Sequence, residues 1–81
     1  MTEIKVYGTT WCFDCTRAKL FLDKHNVDYA WINLDKEPKF VPYILEINNG
    51  QRSVPTIVFA DGSVLVEPTN RQLANKLRIT V

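Results

Sequence analysis

Cys12 and Cys15, the only two cysteines of the chain, stand three residues apart as Cys12-Phe13-Asp14-Cys15, behind Trp11 and ahead of a run with helical periodicity. That spacing admits three chemistries: a redox pair, half of a metal site, or two small buried hydrophobes, since free cysteine is among the most buried residue types. Structural metal and cluster sites generally take four ligands. This chain supplies two cysteines and one distant histidine, His25, so a second copy or external thiols would have to complete a zinc or iron-sulfur site.

A redox pair needs its two sulfurs in different surroundings. At a helix start, residues i and i+3 share one side of the first turn and their side chains can meet. Cys12 lies nearer the helix end, where unpaired amides and the helix dipole favour an anion. The thiolate is the nucleophile, and such positions lower a thiol pKa from about 8.5 into the ~3.5–7.5 range. Cys12 is therefore expected to attack and Cys15, one turn further in, to resolve. Asp14 carries the opposing charge: at ~6 Å, Coulomb's law gives ~0.7 kcal/mol in water and ~2.8 kcal/mol at an effective dielectric of 20. It is expected to modulate the pKa of Cys12 by opposing its thiolate.

The elements that must position this pair are legible in outline. Glu3 to Tyr7 alternates, with Ile4 and Val6 on one side, and is expected to be a strand that stops at Gly8. From about Cys12 to His25 the period changes, with Ala18, Phe21, Leu22 and His25 on one helical stripe. "GTTWC" then lies at a helix amino terminus. "DYAWINL", residues 28–34, reads as a second strand, and strand-helix-strand at this length predicts a right-handed crossover with parallel strands. In "DKEPKFVPYILEINNG" the later part is expected to be helical, with Phe40, Ile44 and Ile47 on one face. Pro42 belongs in its first turn, and Asn48-Asn49-Gly50 is the stop. "TIVFA" and "SVLVE" flank Asp61-Gly62, a hairpin signal. Thr69 and Gln72 form a capping box ahead of Leu73, Ala74 and Leu77. The order is βαβ followed by ββα, in one domain over 1–81.

Composition bounds the function. The 81 residues suffice for one modest core, and 46% are hydrophobic. Ten basic residues against nine acidic ones give a net charge of +1 with the signs interspersed, so no electrostatic case exists for nucleic acid or an anionic membrane. No apolar run reaches the ~18 residues of a spanning helix, and "MTEIKVY" lacks the regions of a signal peptide. A cytoplasmic monomer is expected. In a reducing compartment, a CxxC pair is more often catalytic or metal-binding than a structural disulfide.

Two stretches carry a family resemblance. "YGTTWCFDCTRAK" resembles the strand-loop-CxxC-helix of the thioredoxin superfamily, and within it the glutaredoxin-like proteins, nearest the mycoredoxins. "NNGQRSVPTIVFADGS" is similar to the same family's second signature, around a cis-proline. The resemblance implies an α/β, thioredoxin-like fold of glutaredoxin type: a four-stranded mixed sheet in order 2-1-3-4 flanked by three helices. It implies thiol-disulfide exchange at Cys12 and Cys15, a reaction that needs no bound cofactor and no metal; a metal or iron-sulfur module held by the CxxC pair in a dimer is the alternative. It also makes Val54-Pro55 the family's Val-cis-Pro, whose main-chain amide and carbonyl at Val54 would pair with an extended substrate as an added strand; a proline that merely starts a strand is the alternative. Arg52 stands where similar proteins offer a cation to a substrate carboxylate, a group a guanidinium fork suits, or is a solvated surface arginine. Trp11 would shield the thiol and meet substrate, or pack. Phe13 is a further substrate-contact candidate.

Three departures mark this chain. Phe13-Asp14 replaces the usual Pro-Tyr or Gly-Tyr between the cysteines. Val66-Glu67-Pro68-Thr69-Asn70 stands where glutathione-binding relatives carry Gly-Gly followed two residues later by Asp, and Glu67 would repel a substrate carboxylate there. "NRQLANKLRIT" is unlike the Ser-Gly-Phe-Arg-Pro stretch of redoxins that serve ribonucleotide reductase, which puts that electron-donor role second. The expected partners are protein disulfides or mixed disulfides with mycothiol, bacillithiol or glutathione, and a thiol pool or thioredoxin-type reductase that recycles the enzyme.

Overall fold

The computed structural model describes residues 3–79; the ends of the expected 1–81 domain lie outside the described residues. Its elements run β1 (Ile4–Gly8), α1 (Phe13–Lys24), β2 (Tyr29–Asn33), a 3-10 turn (Pro38–Phe40), α2 (Val41–Ile47), β3 (Thr56–Val58), β4 (Val64–Val66) and α3 (Asn70–Leu77). The sheet order is β2-β1-β3-β4, with β1 parallel to β2 and antiparallel to β3, and β3 antiparallel to β4. This is the four-stranded mixed sheet with three helices, and its β1-α1-β2 crossover puts the helix amino terminus at the carboxyl end of the central strand.

Both faces of the sheet are covered, because successive side chains of a strand point to opposite sides. Val6 of β1 and Ile57 of β3 meet Ala18, Phe21 and Leu22 of α1 and Leu73 and Ala74 of α3. Tyr7, on the other face, packs with Ile32, Leu34 and Ile44 of α2, and Phe40 stands edge-on to its ring with centroids 5.8 Å apart. Among the described residues no helix is long and apolar enough to cross a membrane.

The local signals act as their chemistry requires. Pro42 is accommodated in the first turn of α2, where a missing amide proton costs nothing. Thr69 Oγ1 accepts from the Gln72 amide at 3.1 Å and the Gln72 side chain accepts from the Thr69 amide at 2.8 Å, a closed capping box. His25 ends α1 as its C-cap, its ring 4.5 Å from that of Phe21.

Several boundaries differ from the sequence reading. Gly8 does not stop β1; it is the last paired residue, opposite Asn33. The hairpin strands are shorter than "TIVFA" and "SVLVE": Ala60 falls in the turn, and Glu67 leaves β4 in the left-handed region at φ 49°. Few non-glycine residues adopt that conformation.

Candidate functional site

The end of β1, the loop Thr9–Cys12 and the start of α1 converge with the loop before β3. Cys12 is the N-cap of α1, with extended backbone, and its Sγ accepts from the Cys15 amide at 3.1 Å. A cysteine sulfur thus occupies the place of the Ser or Asp oxygen that usually satisfies an orphan amide. Cys12 is partly exposed, whereas Cys15 is wholly buried. Neither sulfur is in a disulfide.

Burial pushes the Cys15 thiol up to about 12 from an ordinary 9.0, with a hydrogen bond to Cys12 and the Cys12 charge adding to it. A hydrogen bond from the Thr9 amide and the charge of Lys19 act the other way. The two sulfurs therefore differ in surroundings: one is partly exposed and takes an amide at the helix start, and the other is buried and held as a neutral thiol.

Val54, in the turn before β3, brings its carbonyl 3.9 Å from Cys12 Sγ, and the Val54-Pro55 peptide is cis. Pro55 itself is fully buried, and its carbonyl accepts from the Glu67 amide at 2.8 Å, which ties the loop after β4 to the site. Trp11 and Phe13 flank Cys12 with 69% and 91% of their surface exposed. Two large apolar side chains in water beside a reachable thiol form a surface suited to a partner.

Asp14 lies 3.6 Å from the Arg17 guanidinium, so the carboxylate set against Cys12 by the sequence reading has a cation of its own one turn along. Arg17 also donates to Asn70 Oδ1 at 2.7 Å and to the Pro68 carbonyl at 2.8 Å. Arg52 donates to Asp35 Oδ1 at 3.2 Å, and Trp11 Nε1 donates to Asp35 Oδ2 at 2.8 Å. Asp35 thus joins two candidate substrate contacts that are 41 residues apart in sequence.

Asp35, Arg17 and Gly8 were not singled out from the sequence as site residues. A Cβ on Gly8 would stand 2.5 Å from Cys15 Sγ and 3.0 Å from the Trp31 ring, so glycine makes room for the buried sulfur. The one available signal was a glycine at the strand end nearest the CxxC pair. Among the described residues no group of three or more His, Cys, Asp or Glu side chains is placed to hold a metal ion.

Comparison with known proteins agrees with this fold. The glutaredoxin family model matches residues 4–65. A Mycobacterium tuberculosis protein with a glutaredoxin name is 32% identical over 91% of this chain and 88% of its own length. Mycoredoxin 1 of Corynebacterium glutamicum is 27% identical over 95% of both. The glutaredoxin-like protein NrdH of Lactococcus lactis is 33% identical over 72% of this chain and 78% of its own. Among solved structures, a glutaredoxin from Archaeoglobus fulgidus superposes with a TM-score of 0.81 at 29% identity, over 96% of this chain and 88% of that one.

Proposed function

The chain belongs to the glutaredoxin family, whose members are thiol-disulfide oxidoreductases, and from that premise we propose that it reduces disulfides with Cys12 as nucleophile and Cys15 as resolving thiol. One observation carries the assignment: the partly exposed Cys12 Sγ takes the Cys15 amide at the helix start, while Cys15 is out of reach of solvent.

The Cys12 thiolate attacks one sulfur of the substrate disulfide, the S–S bond breaks, and the leaving thiolate takes a proton from solvent. A mixed disulfide on Cys12 remains. Its formation removes both the Cys12 charge and the Cys12 hydrogen-bond acceptor that help keep the Cys15 proton in place, while the Thr9 amide and Lys19 stay. Cys15 then gives up its proton and attacks Cys12 Sγ. The second substrate thiol leaves, and the protein is oxidised to a Cys12–Cys15 disulfide. Two electrons have passed from two thiols to one disulfide. The exposed rings of Trp11 and Phe13 and the Val54 main chain offer the docking edge.

The proposed substrates are protein disulfides and mixed disulfides of mycothiol, bacillithiol or glutathione, with electrons returned by a low-molecular-weight thiol pool or a thioredoxin-type reductase. No resident cofactor enters the cycle. A reducing compartment such as the cytoplasm keeps such a pair ready.

Cys12→Ser is expected to abolish reduction of every disulfide. Cys15→Ser is expected to lose activity on protein disulfides, keep it on small mixed disulfides, and accumulate a covalent adduct on Cys12 visible by mass spectrometry. Activity retained in Cys12→Ser, with the adduct on Cys15, reverses the assignment.

A further inference from the structure

Arg52 is the one basic side chain on the Val54 loop, and a substrate carboxylate is the partner a guanidinium there would suit. In this molecule Asp35 already holds it, with its other oxygen on the indole of Trp11. The carboxylate is itself set in place: the Asp35 amide donates at 2.9 Å to Oδ1 of Asn33, a buried side chain at the end of β2. The Glu67 carboxylate rides on a residue in the left-handed conformation whose amide donates to the Pro55 carbonyl, next to Val54. A non-glycine residue is held in that region where its surroundings enforce it. The Arg17 charge is engaged by Asp14 at the start of α1, and Lys19 of α1 lies over the Trp31 ring, 3.6 Å from its centroid. Arg17 and Arg52 are thus paired with carboxylates, and Glu67 adds an acidic charge with no ion-pair partner among the described residues.

We propose that Asp35, together with Glu67, makes the surface beside Cys12 a charge filter that favours disulfides without carboxylates near the sulfur bond, neutral or cationic ones, over anionic ones. The inference rests on the reading of Cys12 as nucleophile and names the substrate class for it. Asp35 acts in two ways. It neutralises Arg52 and so removes the attraction a carboxylate would feel, and it holds the Trp11 ring beside the thiol. The reaction is the same in every case, two protein thiols becoming a disulfide as the substrate disulfide becomes two thiols; charge changes only the encounter and binding.

Three symmetrical small disulfides of similar size differ in charge: cystamine (cationic), bis(2-hydroxyethyl) disulfide (neutral) and 3,3′-dithiodipropionate (anionic). Their leaving thiols also differ in pKa, so each kcat/KM is divided by the rate constant of the same disulfide with free dithiothreitol. In the native protein the normalised kcat/KM is expected to fall in that order. Asp35→Asn keeps an oxygen acceptor for Trp11 and removes the charge. It is expected to raise the anionic-to-neutral ratio of kcat/KM about 3- to 10-fold, mainly through KM, with a smaller effect in 0.5 M salt. Glu67→Gln moves the ratio in the same direction. A native protein that reduces the anionic disulfide as well as the neutral one overturns the filter, because a substrate carboxylate then displaces Asp35 from Arg52. So does an Asp35→Asn protein whose three rates change together, which would make Asp35 a structural tie only. Failure of the underlying reading looks different: no Cys12-dependent turnover of any of the three.

Discussion

At the scale of single residues, the site depends on one hydrogen in place of a methyl. Gly8 ends β1 against Asn33 of β2, and the space where its Cβ would lie is filled by Cys15 Sγ at 2.5 Å and the Trp31 ring at 3.0 Å. Cys15 is fully buried, so its sulfur cannot yield by turning outward. Gly8→Ala is therefore expected to cost roughly 1–3 kcal/mol, the usual range for overpacking, and to move the resolving thiol away from Cys12. Urea unfolding reads the first effect. The second shows as lost activity on protein disulfides with small mixed disulfides still reduced, the pattern expected of Cys15→Ser. An alanine variant as stable and as active as the parent would show that β1 and α1 can shift apart without harm. The CxxC pair itself was readable because its chemistry lies in local spacing. Gly8 and Asp35 were not, because their roles are contacts to side chains that only the fold brings near.

At the scale of elements, α1 and the loop into α3 are clasped by Arg17. Its guanidinium reaches Asn70 and the carbonyl of Pro68, a residue with no exposed surface, while Asp14 lies on its other side. The loop it grips includes Glu67, whose amide holds the Pro55 carbonyl, so the clasp extends to the Val54 edge of the site. Arg17→Gln leaves the Pro68 carbonyl without its charged donor and is expected to lower stability by about 1–2 kcal/mol, with an unchanged denaturant slope. Arg17→Lys should recover little, since an ammonium cannot reproduce two divergent bonds. A loss below about 0.5 kcal/mol would class the group with ordinary surface ion pairs. Element types and order could be read from periodicity, caps and the Asp-Gly turn because each is a local preference. Strand ends could not: Gly8 stays in β1 through its pairing with β2, and Glu67 leaves β4 through its bond to Pro55, and both partners are distant in sequence.

At the scale of the whole molecule, both faces of the sheet bury groups that resist ionisation, and this fixes how stability responds to alkali. Cys15, on the buried face of α1, is raised to about 12 by burial and by Cys12. Tyr29 of β2 is raised to about 12 by burial and by its hydrogen bond to Asp23 of α1, and Tyr7, on the other face, is raised by burial and by Tyr43. In the unfolded chain these groups release their protons near their ordinary values, 9.0 for the thiol and 10.0 for the phenols. Between those values and the raised ones the unfolded state binds fewer protons than the folded state, so the slope of unfolding free energy against pH is negative. Their contribution is complete below pH 9 and is lost as pH rises toward 12. With the protein kept reduced, urea midpoints are expected to hold up to about pH 9 and then fall. Cys15→Ala should delay the onset to about pH 10, where the tyrosines begin, and Tyr29→Phe should make the later fall shallower. The absolute stability of either variant can change for packing reasons, but the pH at which the decline begins reads only the ionising groups. A reduced protein whose midpoint is flat from pH 8 to 11 would mean that Cys15 ionises as readily inside the fold as outside it, and the division of labour between a reachable and a protected sulfur would have to be abandoned.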